Sequence, residues 1–387
     1  MKRFTSIDFT RGLVMVIMAL DHVREFMHKT SMTQDPTNLE TTTAVLFITR
    51  WITHLCAPAF VFLAGISAYV SMRRKNNLIE SRKFFLTRGL WLLVLEFSVI
   101  NFALWFDIHY RFLILEVIGA IGLSFIVLSF LLRLPSRVIG IIGIILVIIQ
   151  NLVHGIPVPS DPVAAFIFSV LFQPGLTQLT TDHSLYTAYP LISWLGIMLA
   201  GFSFGELFDL DPEKRKKGFL RSGLAVMSAF IIVRALNIFG DPSDWSLQKN
   251  WLFTILSFLN VSKYPPSLLF TFLFTGITML LLSFSENFKS KLTGKISVYG
   301  RVPLFYFIIH LFIIHAAMFV VLFIQGFRMK DFVFGTFRNG RPETGGGTGL
   351  AVVYILWIGL VFMLYPICKW FGEYKSAHPE KKLLRFM

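Results

Sequence analysis

Apolar stretches long enough, or nearly long enough, to cross a lipid bilayer recur about ten times along this chain. They lie at 7–27, 51–72, 84–105, 112–132, 138–153, 187–208, 220–239, 266–284, 298–324 and 350–370. A hydrocarbon core about 30 Å thick needs about 20 helical residues, each rising about 1.5 Å. Water is a poor solvent for such a chain: 55% of its residues are hydrophobic and only 15% charged, against about 45–50% and about 25% in soluble domains. In lipid each backbone polar group has to be satisfied inside the chain, which leaves helices as the structure for segments of this length. The expected fold class is therefore all-α: a polytopic integral membrane helix bundle of about ten transmembrane helices. A single domain is expected over 1–387, with a short tail at 371–387. The first apolar run follows Lys2 and Arg3 without a small-residue cleavage site, so it is expected to remain as a helix. The apolar segment 163–172 is too brief to span and is expected to lie in the interface or to re-enter.

The basic residues orient the bundle. Placing both termini on the cytoplasmic side puts 25 Lys and Arg there and 10 on the other side, with Arg234 inside a span, which accounts for all 36. The run Lys214–Lys217 falls inside, while 154–186 has no Lys or Arg at all. Such an asymmetry is the positive-inside signature. The same distribution disposes of nucleic acid as a partner despite a net charge of +14, because the cations form short runs between spans instead of a basic face. The two cysteines, Cys56 and Cys368, sit in apolar stretches and read as small core residues. Neither a His-Glu-x-x-His motif nor a Cys/His spacing suggests a metal. The glycine run Gly345-Gly346-Gly347-Thr348-Gly349 lacks the lysine of a phosphate-binding loop and reads as a flexible outer linker.

Ionisable groups are costly in hydrocarbon, so each needs a partner or a purpose. In the first helix, His22 follows Arg11 by eleven positions. That is about 1100° of rotation, or about 20° off the same face, and a rise of about 16 Å. Arg11 is then expected near the cytoplasmic headgroups and His22 about halfway across. Asp21 lies about 100° round the helix from His22 and is expected to pair with Arg24 or with another helix. His54 opens the second helix, and His310 follows Arg301 by nine residues, about 13–14 Å in. His315 is expected to be structural. Glu96 and Glu116 are expected to balance Arg88, Arg111 or Arg234. Lys263-Tyr264-Pro265-Pro266-Ser267 stands at the outer mouth of the eighth helix, where a rigid turn could aim Lys263 and free N–H groups at an anionic or sugar ligand.

Several of these stretches together resemble one family. Ser6-Ile7-Asp8-Phe9-Thr10-Arg11-Gly12, Asp21-His22 and Ala57-Pro58-Ala59-Phe60-Val61-Phe62-Leu63-Ala64-Gly65 are similar to the bacterial relatives of heparan-α-glucosaminide N-acetyltransferase. So are Tyr189-Pro190-Leu191-Ile192-Ser193-Trp194-Leu195-Gly196, Lys263–Ser267, and Gly300-Arg301-Val302-Pro303-Leu304-Phe305 leading to His310. The likeness runs from about residue 6 to 370. The first helix also resembles the acyltransferase-3 family, whose signature is an arginine, ten residues and a histidine, as Arg11 and His22 are spaced here.

The resemblance implies acyl transfer across the bilayer, from cytoplasmic acyl-CoA (acetyl-CoA as co-substrate, with no permanently bound cofactor) to an acceptor on the far side. In the lysosomal enzyme the histidine credited with the acetyl group belongs to the loop after the first helix, and His28 is the nearest candidate here. Whether His22 or His28 acts is open at this point. Histidine suits either a base or a nucleophile near neutral pH. Phosphates of CoA call for cations at the cytoplasmic face, and Arg11, Arg73, Arg74 and Arg88 are available. The expected protein is thus an O- or N-acetyltransferase of the bacterial inner membrane, acting on an envelope sugar or glycoconjugate. His22, Asp21, His310, His54 and His28 are its catalytic candidates, and Lys263, Tyr264 and Glu116 face the acceptor. Its partners are the bilayer, acyl-CoA and the acceptor, and a homodimer is compatible with the sequence. The rival reading is a small-solute transporter or permease, which also places ionisable groups at the midplane but has no reason to bind acyl-CoA. A scaffold partner without turnover is a third.

The topology is directly testable. Of single cysteines placed at positions 160 and 215, only that at 160 is expected to react with an impermeant maleimide on intact cells. Labelling at 215 would reverse the orientation.

Overall fold

A computed structural model describes residues 4–153, 155–288, 290–381 and 384. In chain order its helices are α1 (Thr5–Met27), α2 (Ala44–Thr53), α3 (Cys56–Lys75), α4 (Leu78–Leu95), α5 (Asn101–Trp105), α6 (Val117–Leu131), α7 (Ser136–Val153) and α8 (Pro162–Leu171). They continue as α9 (Leu191–Phe204), α10 (Pro212–Leu236), α11 (Trp251–Leu259), α12 (Leu268–Ser285), α13 (Lys291–Arg301), α14 (Pro303–Ile324) and α15 (Leu350–Ala377). Eight helical stretches among the described residues are long and apolar enough to cross a membrane. The other two expected spans are also helical. α1 is interrupted by Asp8, Arg11, Asp21, Arg24 and Glu25, and α6 has only 15 residues. The structure is that of a polytopic helix bundle, and α8, at 10 residues, is too short to span.

Prolines decide where two of the expected spans break. The expected helix 51–72 is interrupted between Thr53 and Cys56. Pro58 lacks an N–H, and its ring would clash with the carbonyl of His54, four residues back. The expected helix 298–324 is likewise two, because Val302 leaves the helical region (φ −133°) and Pro303 opens α14, a position that suits proline's fixed φ. Within 84–105 the chain widens into one π turn, Glu96–Ile100. Residues 112–115, expected to start a helix, instead form a strand. This β1 (Phe112–Leu115) joins β2 (Gly175–Gln178) and β3 (Ser184–Thr187) in the order β1-β3-β2. β2 and β3 run antiparallel, with Gly175 opposite Thr187 and Gln178 opposite Ser184. C-terminally, α15 continues to Ala377, so the tail expected from 371 begins as helix.

The chain groups into two compact units, each built from separated stretches. The first comprises Met1–Cys56, Ser98–Phe112 and Phe288–Met387. In it α1 packs against α2, α13, α14 and α15, and Trp357 Nε1 donates to the carbonyl of Val16 at 2.8 Å. The closest approach is between α1 and α13. A Cβ added at Gly12 would stand 2.1 Å from the carbonyl oxygen of Ile296, and one at Gly300 would stand 1.9 Å from that of Asp8. Lipid offers no hydrophobic drive for helix association, so small residues that let backbones meet supply the packing.

The second unit comprises Ala57–Phe97 and Leu113–Asn287 and follows the same rule. Its helix pairs meet glycine to glycine: Gly65 with Gly201, Gly89 with Gly122, Gly143 with Gly196 and Gly223 with Gly276. At the N-terminal end of α10, Arg215 is buried and bonded to Glu286 at 2.5 Å. Lys217, exposed two residues on, is therefore the better site for the inner-side cysteine.

Adding a methyl group at the α1–α13 contact tests this packing. Gly12→Ala and Gly300→Ala are expected to lower stability by about 1–3 kcal/mol each, the usual cost of overpacking, read as a lower melting temperature of the purified protein. Gly359→Ala, where a Cβ meets nothing within 4 Å, should leave it unchanged.

Candidate functional site

The contact between Gly12 and Gly300 sets the register for what lies above it. From Gly12, ten residues along α1 lead to His22; from Gly300, ten residues lead through Pro303 and along α14 to His310. Both climb about 15 Å. The two histidines consequently meet, with Nδ1 of His22 at 2.7 Å from Nε2 of His310. Their ring centroids are 4.9 Å apart and their planes differ by only 18°, which is the geometry of two rings bonded edge to edge. Phe307 closes on His22 from the side, edge to face at 6.0 Å. His310 is fully buried.

The partners fix the tautomers. Nδ1 of His310 lies 3.0 Å from the carbonyl oxygen of Tyr306, which can only accept, so that nitrogen carries the proton. With His310 neutral, its Nε2 is then the acceptor, and Nδ1 of His22 donates to it. In neutral His22 the lone pair is thereby placed on Nε2. This chain, from a backbone carbonyl through one imidazole to another, gives the His22 ring a defined orientation near the C-terminal end of α1.

Asp21, one residue earlier, belongs to a different constellation. Its carboxylate accepts from Arg24 Nη2 at 3.0 Å, from Arg50 Nη1 at 2.7 and 2.6 Å, and from Thr53 Oγ1 at 2.9 Å. The expected pairing with Arg24 is present and is joined by a second helix. Asp21 thus pins α2 to the turn of α1 that carries His22. Breaking one side of such a buried pair is costly, because the remaining charge stays uncompensated.

His28 caps the C-terminus of α1 and is buried. Its Nδ1 accepts from the Thr30 N–H at 3.4 Å and faces Thr30 Oγ1 at 3.0 Å, so its proton sits on Nε2 and its lone pair is engaged. Around it a later loop returns. Lys29 N–H donates to Thr348 O at 3.0 Å, Thr348 N–H to Met27 O at 2.6 Å, and Arg341 Nη1 to His28 O at 3.0 Å. The glycine-rich stretch read as a linker is thus partly paired to the end of α1. Burial, and then the neighbouring cations Arg24, Lys29 and Arg341, hold the His28 imidazole below its ordinary pKa of 6.5.

The remaining candidates are placed as follows. His54 is buried at the end of α2. His315 donates from Nδ1 to Ala103 O at 2.8 Å and stacks on Phe106 at 3.8 Å, as a structural histidine does. Arg11 donates to Gly300 O at 3.1 Å and lies 3.9 Å from Asp8, so it also braces the α1–α13 contact. Arg73 and Arg74 are exposed at the end of α3, Arg73 reaching Asp209 at 3.2 Å, and the Arg88 guanidinium lies over Phe125. Of the cations expected to balance the two glutamates, Arg111 is paired with Asp107 at 3.0 Å. Arg234 donates to the carbonyls of Ser243, Ser257, Phe258 and Asn260. Glu96 instead accepts from the N–H of Glu116, the N-cap of α6. Lys263 is buried, its ammonium 4.9 Å from the Tyr264 ring and 5.7 Å from that of Tyr189.

Four participants escaped the sequence reading. Tyr306 acts through a carbonyl that any residue would supply; its place four residues before His310 was the available signal. Arg50 and Thr53 reach Asp21 from about thirty residues away, and Arg341 reaches His28 from more than three hundred. No local pattern links those.

The described residues thus form a multi-pass helix bundle with a histidine pair joined inside its helices, beside a buried carboxylate anchored by arginines. The family model described as heparan-alpha-glucosaminide N-acetyltransferase, catalytic, matches residues 3–246, and the chain belongs to that family. Its function is accordingly that of a membrane acetyltransferase-like protein. The match covers Arg11, Asp21, His22, His28 and His54 and ends before Lys263 and His310. A search of curated proteins gave no match.

Since the fold lowers the pKa of His28, it favours the neutral ring. That contribution is complete above pH 6.5 and is lost as the pH falls through the lowered value. Hydrogen exchange at the amides of Lys29 and Thr348 should therefore accelerate as the pH drops below 6.5 by more than intrinsic chemistry requires. The excess should vanish in His28→Asn.

Proposed function

We propose that this protein transfers an acetyl group from cytoplasmic acetyl-CoA to a hydroxyl or amine of an envelope sugar or glycoconjugate on the outer side of a bacterial inner membrane. The observation that carries this reading is the chain from Tyr306 O through His310 to His22, which gives His22 a basic Nε2. As the acceptor oxygen or nitrogen attacks the thioester carbonyl, His22 Nε2 takes its proton. The new C–O or C–N bond forms, the C–S bond breaks, and the departing thiolate recovers the proton from His22. The imidazolium formed in between is steadied by donating from Nδ1 to His310, whose own orientation is held by Tyr306. His310 and Asp21 are thus positioning residues for His22. His28, with its lone pair engaged by Thr30, is the weaker base of the two candidates. Arg11, at the foot of the helix that leads to His22, is the cation of this unit for the phosphates of CoA; Arg73, Arg74 and Arg88 are further candidates.

The test is transfer of label from radiolabelled acetyl-CoA in purified protein. His22→Asn should keep expression, melting behaviour and acetyl-CoA affinity, yet lower transfer by ~10²-fold or more, the usual scale for a general base. His28→Asn should retain most activity. If instead His28→Asn abolishes transfer and His22→Asn does not, the outer-loop histidine is the catalyst. If the wild type transfers nothing from acetyl-CoA, the transporter reading takes precedence.

A further inference from the structure

Between the apolar stretches that end at 239 and resume at 266 lies the connection from α10 to α12, and its surface does not suit water. Ile238 and Leu247 are each 83% exposed and Trp251 is 75% exposed, with Leu236, Phe239 and Ile255 exposed as well. α11, which belongs to this connection, contains no charged residue. One of its faces packs inward through Phe253, Leu256 and Ser257, while Trp251 and Ile255, one helical turn apart, share the other. A surface helix in water turns polar residues outward, and a helix that is apolar on both faces belongs in a core or in lipid. With 9 residues, α11 is about 13 Å long. That is too short to cross a bilayer but long enough to lie in its interface.

Non-helical backbone is tolerated at membrane depth only where its polar groups are bonded within the protein, and this connection is bonded in that way. Arg234, buried in the last turn of α10, donates to the carbonyls of Ser243 and Asn260 at 2.8 Å and of Phe258 and Ser257 at 3.0 Å. Ser257 and Phe258 belong to the last turn of α11, whose carbonyls find no partner in their own helix. The Trp245 N–H and carbonyl are bonded to the Asn237 side-chain amide at 3.0 Å each, and Trp245 Nε1 donates to Arg234 O at 2.9 Å. Ser246 N–H donates to Ser257 Oγ and Gln248 N–H to Thr254 Oγ1, both at 3.0 Å. Gly240 O accepts from Leu269 N–H at 2.9 Å. Water would serve the same carbonyls without burying a charge.

The patch continues the lipid-facing side of a span. Leu220, Leu224, Ile231 and Ile232 of α10 are exposed, and Leu236 carries that apolar surface to the end of the helix. Arg221, the last cation of the basic end of α10, stands fifteen residues before Leu236. That is a rise of about 22 Å, short of a hydrocarbon core about 30 Å thick, so the chain leaves α10 before it reaches the far headgroups. Trp and Lys are residues of the membrane boundary, and Lys249 and Trp251 lie together at the start of α11, the Lys249 ammonium 3.8 Å from the centre of the Phe253 ring. We propose that residues 236–259 are seated in lipid. Leu236, Ile238, Phe239, Leu247, Trp251 and Ile255 then rest where acyl chains meet headgroups, in the leaflet at the C-terminal end of α10. The seat does not depend on acetyl transfer. A second copy of the chain laid over the same patch is the competing occupant, and the test separates the two.

Tryptophan fluorescence of the purified full-length protein in phosphatidylcholine nanodiscs reads the position of the patch. The chain has 8 tryptophans, so the signal of Trp251 is taken as the difference between wild type and Trp251→Phe. With lipid brominated near the carbonyl end of its chains, that signal should lose most of its intensity. The loss should be smaller with lipid brominated near the chain ends, and aqueous iodide should quench little of it. Leu247→Trp placed in the Trp251→Phe protein should restore a component that the shallow bromolipid quenches, so the outcome does not hang on one position. Unchanged melting of both variants is the control for folding. Quenching by iodide without quenching by bromolipid would put the patch in water and overturn the proposal. Protection from both quenchers would put a second copy of the chain over it and overturn the proposal equally.

Discussion

Backbone against backbone at Gly12 and Gly300 is the contact on which the candidate site depends. With no side chain on either residue, α1 and α13 approach closely enough that a single methyl group would lie about 2 Å from a carbonyl oxygen. That contact fixes both the separation and the register of two segments running in the same direction. Because each then climbs ten residues to a histidine, His22 and His310 arrive at one level. The same device recurs in the second unit, where four helix pairs meet through facing glycines. In a solvent as apolar as the side chains themselves, such close packing supplies what hydrophobic burial supplies in water.

A second constraint is that the charged groups buried inside the bundle are bonded to partners drawn from other turns and helices. Asp21 is served by two arginines and a threonine, Arg234 by four carbonyls, and Glu96 by the N-terminus of α6. These arrangements fasten helices and turns. The His22–His310 pair is of another kind, since its bonding runs in one direction, from the first ring to the second and on to a carbonyl. Directionality is what turns a buried histidine from a strut into a base with a known lone pair.

Much of this was legible in the sequence, and the limits follow from the physics. Span number, helix class and the level of His22 and His310 can be counted from apolar length and helical rise, because lipid thickness is a fixed ruler. Breaks at Pro58 and Pro303 were equally visible, although the spans were read through them. The small sheet was hidden because β1 (Phe112–Leu115) is apolar and continuous with the helix after it, so no periodicity separates strand from helix there. Tertiary partners were hidden for a different reason. Arg50, Arg341 and Tyr306 are defined by where the chain returns, and the last of them acts through its backbone. The bond from Glu96 to the N-terminus of α6 was hidden because a backbone N–H that serves a carboxylate leaves no mark in the sequence.

The central claim is that His22 presents a basic Nε2 because His310 and Tyr306 dictate its tautomer. Nitrogen NMR of the protein labelled with 15N-histidine, with His22 and His310 identified through their Asn variants, reads this directly. The account predicts a protonated Nδ1 and an unprotonated Nε2 on His22, a scalar coupling across the bond from His22 Nδ1 to His310 Nε2, and a shift confined to His22 Nε2 on adding a non-transferable acetyl-CoA analogue. A protonated Nε2 on neutral His22, with the lone pair turned toward His310, would contradict it.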